Sequence, residues 1–127
     1  MTTNPDLLAL ADEHFVSLTT FRKSGVGVST PVWIARDGDE LIVTTPDGTG
    51  KVKRVRNNGR VTLAPCSRMG KVADGAPVVA GTATIEAETP ALSAIFKRKL
   101  KTEYKIFMWI ERRGKAGQKP RVILRIR

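Results

Sequence analysis

The residues with the most potential for chemistry lie in one stretch, Leu41 to Arg60, which reads LIVTTPDGTGKVKRVRNNGR. A short apolar strand is predicted to end at Thr44 and Thr45, and a turn rich in glycine and hydroxyl residues follows it. The basic helix predicted after that turn contains no acid and carries Lys51, Lys53, Arg54 and Arg56. Backbone N–H groups at a helix start, threonine hydroxyls and converging cations together form a site suited to a phosphate.

The stretch differs from the two common nucleotide-binding motifs. Its segment GTGK resembles the end of a P-loop, but Thr45 stands where a glycine is needed and Val52 where Ser or Thr binds magnesium. The segment GVG at positions 25–27 lacks the third glycine of the dinucleotide-binding fingerprint. An ordinary turn followed by a solvent-exposed basic helix face is the alternative interpretation, and composition alone leaves both open.

Positive charge is concentrated in the second part of the chain. The net charge is +10, yet residues 1–50 hold three Lys/Arg against seven Asp/Glu, whereas residues 51–127 hold nineteen against five. We therefore expect an anionic partner for the second part, either nucleic acid or a small, multiply charged ligand. The stretch from Lys51 to Lys71 has no aromatic residue that could stack on bases, so nucleic acid is the less favoured partner, although duplex backbones remain open.

Length and composition predict one domain spanning residues 1–127. Hydrophobic residues make up 41% of the 127 residues, which is enough to fill a single core. No apolar run approaches the length of a membrane span, and the N-terminal residues are acidic where a signal peptide is basic, so a cytoplasmic protein is expected.

Few side chains in this sequence can perform catalysis. The single cysteine, Cys66, excludes an internal disulfide and a cysteine-rich metal site, and His14 is the only histidine. We therefore predict neither a metal site nor a catalytic side chain. Either the protein is not an enzyme, or a cofactor carries out the reaction.

The order of periodic segments predicts a mainly β protein with short helices. A first helix begins at Pro5, and the later helices are the basic one, closed by a left-handed Gly59, and one that starts at Thr89-Pro90. Strands are predicted at Phe15–Phe21, Val26–Arg36, Glu40–Thr44, Val61–Pro65, Pro77–Glu88 and around Val122, Leu124 and Ile126. Tyr104–Ile110 favours a helix and Gly114–Pro120 a loop. Six strands joined mostly by hairpins are typical of a small antiparallel barrel.

Pro31 interrupts the second predicted strand. A proline cannot donate to a strand ladder, so it belongs at an edge, at a bulge or where a ligand approaches the backbone.

The run from Phe15 to Glu88 resembles a known family. It contains, in order, a first strand with Thr19 and Thr20, the segment STPVW, an acidic hairpin, TTPDGTGKVKRVR and VTLAPCSRMG. This set resembles the flavin/deazaflavin oxidoreductases (FDOR-B class) of the pyridoxamine-phosphate-oxidase-like superfamily, and most closely the coenzyme F420-dependent branch found in actinobacteria. The resemblance implies a split β-barrel of the FMN-binding-protein type, which forms a homodimer with the cofactor in a groove between two subunits.

The resemblance also implies the cofactor-binding residues. The segment along the deazaflavin ring corresponds to Val28, Ser29, Thr30, Pro31 and Trp33. The phosphate-binding set corresponds to Thr44, Thr45, Thr49, Gly50, Lys51 and Lys53. The partners of the anionic tail correspond to Arg54, Arg56 and Arg68.

The function implied by the resemblance is hydride transfer between coenzyme F420, or alternatively FMN, and a conjugated, hydrophobic small molecule. A bound ring would explain why so few catalytic side chains are present. The alternatives are a non-catalytic basic module that carries a cofactor or binds nucleic acid, and an FMN-binding relative.

A homodimer is also expected from the C-terminal part of the chain. The apolar residues Val122, Leu124 and Ile126 and the run Tyr104–Ile110 offer more apolar surface than a small barrel is expected to cover. A two-fold partner would bury that surface.

Overall fold

Six strands and three short α-helices make up the residues that the structure describes, 5–101 and 120–127 of a computed structural model. The helices are α1 (Pro5–Ala9), which continues as a 3-10 turn (Leu10–Asp12), α2 (Gly50–Asn57) and α3 (Pro90–Leu100). The strands are β1 (Phe15–Phe21), β2 (Gly27–Asp37), β3 (Glu40–Pro46), β4 (Arg60–Pro65), β5 (Val79–Ala87) and β6 (Arg121–Ile126). The predictions for residues 104–110 and 114–119 lie outside the described residues.

The strands close into an antiparallel barrel, which confirms the predicted fold class. Their order around the barrel is β1, β2, β3, β6, β5, β4, and β4 pairs back with β1. Alternate residues face inward, as in Val32 and Ile34 of β2, and pack in the barrel core. The intervening residues Trp33 and Ala35 face outward and pack with Phe96 of α3 in a second cluster. Helix α2 packs on β1 and β5 and buries Val52 and Val55.

Strand β2 changes partners halfway along its length. Residues from Gly27 to Trp33 pair with β1, whereas residues from Ile34 to Asp37 pair with β3. Strand β3 continues beyond this ladder to Pro46, pairing with β6. Strands β2 and β3 therefore separate on the N-terminal side of Ile34, and the barrel has an opening between Pro31–Trp33 of β2 and the end of β3. Pro31 lies in the part of β2 that is paired only with β1, so its missing N–H removes no hydrogen bond to β3.

Gly59 was predicted to end α2 in a left-handed conformation, and that prediction is wrong. The residue that caps the helix is Asn58, which is extended, and Gly59 has no positive φ. A Cβ on Gly59 would lie 2.8 Å from the carbonyl oxygen of Ala83, whose N–H donates to Gly59 over 2.7 Å. A glycine is needed there because the β5 backbone approaches closely, not because the helix ends in a turn.

The alternating apolar residues of β6 do not form an uncovered face. Leu124 and Ile126 are fully buried inside the barrel, and Ile123 is fully buried in the cluster under α3. The exposed large apolar side chains of the described residues lie instead in the β1–β2 turn and the β4–β5 loop: Val26, Met69, Val72 and Val78. The expected homodimer thus loses the support of β6 and remains a prediction.

Lys99 joins α3 to the rest of the structure. Its half-buried ammonium donates to the carbonyl oxygens of Ala11 at 2.6 Å, Glu13 at 2.5 Å and Ile34 at 2.5 Å. These carbonyls belong to the segment after α1 and to β2, so one side chain connects three parts of the chain. Burial lowers the pKa of Lys99, while Asp12 and Glu13 act in the opposite direction.

Replacing Lys99 by Met should lower the free energy of unfolding by roughly 2 to 3 kcal/mol, because three carbonyl oxygens lose a charged donor. Denaturant unfolding measures this change. The matched control is Arg98→Met on the same helix, whose side chain is exposed, and it should change stability by less than about 0.5 kcal/mol. Equal effects of the two substitutions would contradict a specific role for the Lys99 contacts.

Candidate functional site

The opening between β2 and β3 forms a cavity of about 120 Å³. Its wall combines four parts of the chain that are far apart in sequence, namely Phe15, Pro31, Val32, Trp33, Thr44, Thr45, Pro46, Lys51 and Arg121. The partner change of β2 creates the space, β3 supplies the two threonines, and α2 and β6 each bring one cation to it. Five of the predicted cofactor-binding residues therefore meet in one place: Pro31, Trp33, Thr44, Thr45 and Lys51.

Three buried hydroxyls have no hydrogen-bond partner among the described residues, and one of them, that of Thr45, lines this cavity while the other two lie within two residues of a lining residue in sequence. The three are the Oγ1 atoms of Thr30 on β2, Thr45 at the end of β3 and Thr49 just before α2. Thr49 occupies the N-cap position of α2, yet its side chain does not cap the helix. A buried hydroxyl without a partner costs about 1 to 3 kcal/mol, so three of them together indicate donors held for a ligand.

Two cations, Lys51 and Arg121, line the same opening, and a third, Arg54, lies close enough to Lys51 to act on its charge. Lys51 is half-buried, and its pKa is lowered first by burial and then by the positive charges of Arg54 and Arg121. The guanidinium of Arg54 donates from Nε to the buried hydroxyl of Thr20 over 2.6 Å. Gly50 has no side chain, which leaves room for this guanidinium, because a Cβ there would lie 2.7 Å from Nη1 of Arg54. Like charges held this close disfavour one another, and an anion between them would remove the repulsion.

The remaining predicted residues lie around the cavity without lining it. Lys53 and Arg56 are exposed on α2, and Arg56 lies 3.8 Å from Asp47. Ser29 is exposed on β2, where its hydroxyl is 2.7 Å from that of Thr19. Val28 of β2 is partly buried and pairs with Thr20.

Arg68 is exposed in a turn that approaches the opening from the other side. Gly70 of that turn has a φ of 87°, and a Cβ on it would lie 3.3 Å from Cδ of Pro31. The turn carrying Arg68 therefore packs beside the β2 segment that the resemblance assigns to the cofactor ring. The structure gives no contact between Arg68 and the cavity wall.

Arg121 lines the cavity and was missed by the sequence analysis. It begins β6, directly opposite Pro46 of β3 in the strand register. The arginines that alternate with Val122, Leu124 and Ile126 were visible in the sequence, but their position beside the TTPDGTGK segment depends on long-range pairing of β6 with β3. The sequence therefore showed that the last strand carries arginines, but it did not show that this strand would pair with β3.

Neither His14 nor Cys66 lines this opening, although the backbone N–H of Cys66 donates to the carbonyl oxygen of the lining residue Phe15 over 3.3 Å. His14 lines a broad groove of about 940 Å³ between the α1 segment, β2 and α3, and none of the predicted site residues belongs to it. Burial raises the pKa of the Cys66 thiol, and Glu13 adds to the effect. Within residues 5–101 and 120–127, no three His, Cys, Asp or Glu side chains come together as a metal site. No helix of that part of the chain is long and apolar enough to cross a membrane.

Comparison with known proteins places the chain in a family. The family model described as pyridoxamine 5'-phosphate oxidase matches residues 7–127, which confirms the superfamily that the resemblance indicated. No curated protein matches the chain.

Three solved structures with the same fold illustrate how widely it is used. The chain is similar to an F420 reductase (20% identity, 98% of this chain and 94% of that one, TM-score 0.58). It is also similar to the heme storage protein HutZ from Vibrio cholerae (10% identity, 100% of this chain and 90% of that one, TM-score 0.65). The third is a FAD-binding protein from Mesorhizobium loti (17% identity, 99% of this chain and 87% of that one, TM-score 0.56). At these identities the similarity shows the fold alone.

Binding of a phosphate monoester such as phenyl phosphate should depend on the charge of Lys51. Because the pKa of Lys51 is lowered, its ammonium loses its proton at a lower pH than an ordinary lysine, and affinity should fall as pH rises through that range. The ligand itself keeps a constant charge there, since its second pKa is about 6. Calorimetric titration across this pH range measures the fall.

The matched control for this titration is Lys51→Arg, because arginine stays protonated throughout. Its affinity should be flat over the same pH range. A fall of equal size in the Lys51→Arg variant would show that another group titrates and that Lys51 does not hold the anion.

Proposed function

The chain belongs to the pyridoxamine 5'-phosphate oxidase family, and we propose that it is an oxidoreductase that binds a deazaflavin, coenzyme F420, in the opening between β2 and β3. The observation that carries the proposal is the unpartnered buried hydroxyl of Thr45, which lines the same cavity as the half-buried cation Lys51. The FDOR-B class, the deazaflavin and hydride transfer to a conjugated, hydrophobic acceptor are parts of this proposal.

The donor set fits a phosphate group. A phosphodiester oxygen accepts hydrogen bonds and donates none, so it suits a site with an unpartnered hydroxyl donor and nearby cations. Thr45 at the end of β3 and Thr49 just before α2 would donate to it, and Lys51 would neutralise its charge. Backbone N–H groups at the start of α2 add to this favourable environment.

The cavity is large enough for the phosphate and too small for the rest of the cofactor. Sites for whole cofactors have volumes of about 300 to 1,000 Å³, whereas this one has about 120 Å³. The ring would therefore extend along the β2 segment that includes Pro31, and the anionic tail would extend toward the exposed cations Lys53, Arg56 and Arg68. A partner subunit would complete the groove on its open side.

A bound deazaflavin supplies a hydride from its ring to an acceptor, which is chemistry that no amino-acid side chain provides. The residues of this chain would bind the cofactor and orient it. Lys51, with Arg54 close to it, would hold the anionic part and so orient the cofactor relative to β2. Trp33, only 7% exposed and packed in the α3 cluster, keeps that strand rigid. Phe15 and Val32 add apolar surface to the cavity wall.

A cofactor carrier without turnover is the second candidate, because the described residues offer no side-chain catalyst beside the cavity. A nucleic-acid module is less well supported. Arg125 and Arg127 of the C-terminal strand form ion pairs with Glu40 and Glu86 instead of extending a free basic surface. Oxidation of the reduced, bound cofactor by a panel of conjugated acceptors separates an enzyme from a carrier.

We expect coenzyme F420 to bind more tightly than FMN, because the cations outside the cavity match an anionic tail that FMN lacks. Lys51→Ala should weaken F420 binding by roughly 1.5 to 3 kcal/mol, the contribution of a charge-assisted hydrogen bond. Fluorescence quenching measures both affinities. Lys23→Ala, in an exposed turn away from the cavity, is the control and should bind as the unaltered protein does.

Two outcomes would contradict this account of the ligand. Equal or tighter binding of FMN would remove the argument for a deazaflavin. A collapse of the melting temperature in Lys51→Ala, with unchanged affinity per folded molecule, would make Lys51 a structural residue.

The protein should form a homodimer at micromolar concentration. The exposed apolar side chains are Val26, Met69, Val72 and Val78, and a partner would cover them. Of these, Met69 adjoins Gly70, whose turn packs beside Pro31 of the site. Light scattering measures the mass, and Met69→Lys should shift the equilibrium toward the monomer and weaken F420 binding together. A monomeric protein that still binds F420 with full affinity would show that one subunit suffices.

A further inference from the structure

We infer that Thr44 does not bind the cofactor and instead positions Arg121, with Glu88 as the anchor, so that Arg121 holds the cofactor's anion from the wall opposite α2. The inference rests on the proposed function of the opening. It changes the role that the resemblance gave to Thr44 and adds a residue that the sequence analysis did not include.

The hydroxyl of Thr44 already makes two hydrogen bonds within the protein. Its hydroxyl donates to Oε1 of Glu88 over 3.2 Å and accepts from Nε of Arg121 over 2.9 Å. A threonine hydroxyl has a single proton, and here that proton is given to a carboxylate. An ionised phosphate has no proton of its own to donate, so Thr44 has nothing left with which to bind it.

Thr45 differs from Thr44 in its hydrogen bonding. Both side chains line the cavity and both are buried, but they point to opposite faces of β3. The hydroxyl of Thr45 has no partner among the described residues, and its proton is available to a ligand. The two adjacent threonines therefore have separate roles, one as a donor to the anion and one as a support for a cation.

Arg121 reaches the cavity from a different element than Lys51 does. It lies on β6 beside the end of β3, whereas Lys51 and Arg54 lie on α2. Arg121 is close enough to lower the pKa of Lys51 by its charge, and both line the same cavity. An anion in the opening would thus be held from two walls that belong to different parts of the chain.

Anchoring matters because arginine is a flexible side chain. Ordering it costs up to about 2 kcal/mol of rotamer entropy, and a bond at Nε fixes the plane of the guanidinium before the ligand arrives. The guanidinium is a planar group of N–H donors, and the bond from Nε to Thr44 holds one edge of it in place. Glu88 acts through Thr44 and does not itself reach the cavity wall.

A double-mutant cycle on the full-length protein tests the inference, with F420 affinity measured by fluorescence quenching. Arg121→Gln should weaken binding about tenfold, as expected for the loss of a charge-assisted hydrogen bond. Thr44→Val should weaken it by less, and adding Thr44→Val to Arg121→Gln should cause no further loss. Thr44→Ser keeps the hydroxyl and should bind normally. Arg98→Gln, remote from the cavity, is the charge-matched control.

Thr45→Val provides the contrast within the same strand. It should weaken F420 binding by itself and to the same extent in the Arg121→Gln protein, because the two residues bind the anion independently. If Thr44→Val behaves in this additive way too, Thr44 touches the ligand and the inference is wrong.

The pKa of Lys51 in the ligand-free protein is a second readout that a merely structural role would not move. It is measured by NMR titration of the lysine side chain. Arg121→Gln should raise it by removing a nearby positive charge, and Thr44→Val should change it as Arg121 leaves its anchored position. An unchanged Lys51 pKa in both variants would overturn the inference.

The outcomes also separate this inference from the proposed function. If Lys51→Ala loses F420 affinity and Arg121→Gln does not, the role of Arg121 and Thr44 is wrong while the site in the opening stands. If neither substitution changes the affinity, the cofactor does not bind in the opening and both fail.

Discussion

The candidate site depends on one structural constraint, the change of partner in β2. Up to Trp33 this strand pairs with β1, and from Ile34 it pairs with β3. If the β2–β3 ladder continued, it would close the space that Thr45 and Lys51 line. Pro31 fits this arrangement because it has no N–H and lies where β2 needs only one neighbour. The opening is thus a consequence of strand pairing, and α2 and β6 bring charge to it.

Keeping such an opening has an energetic cost that the rest of the barrel must offset. Buried hydroxyls without partners and neighbouring like charges both destabilise the ligand-free protein, whose total stability is expected to be only about 5 to 15 kcal/mol. The other end of the β3–β6 ladder has a compensating network. Arg125 of β6 bonds Glu86 at 2.6 Å, Asp37 at 3.0 Å and Glu40 at 3.2 Å, which joins β6 to β2, β3 and β5. The unfavourable groups are therefore confined to the site, as is common where a ligand supplies the missing partner.

Local patterns were sufficient to predict most of the fold and part of the site. The bounds of β1 were predicted to the residue, and Thr89-Pro90 begins α3 with the threonine side chain accepting from Leu92. Predictions failed where a distant strand decides the outcome. Gly59 is needed because β5 approaches it, and the apolar residues of β6 are covered by the barrel itself.

The same limit explains why the site was only partly predictable. The segment from Thr44 to Arg54 is contiguous, and its hydroxyls and cations could be recognised by type and spacing. Arg121 could not, because its place beside Pro46 follows from the pairing of two strands separated by most of the chain. The different roles of Thr44 and Thr45 depend on which face of β3 each side chain occupies, and on the Glu88 carboxylate that only the folded chain brings near.

Chemical-shift mapping with coenzyme F420 tests the central claim most directly. In a titration of isotope-labelled protein, the largest backbone shifts should come from the end of β3, the start of α2 and the first residue of β6, at Thr45, Thr49, Lys51 and Arg121. Residues of the broad groove beside α3 should be little affected. If the largest shifts instead come from that groove, around His14 and its neighbours, the opening between β2 and β3 is not the cofactor site.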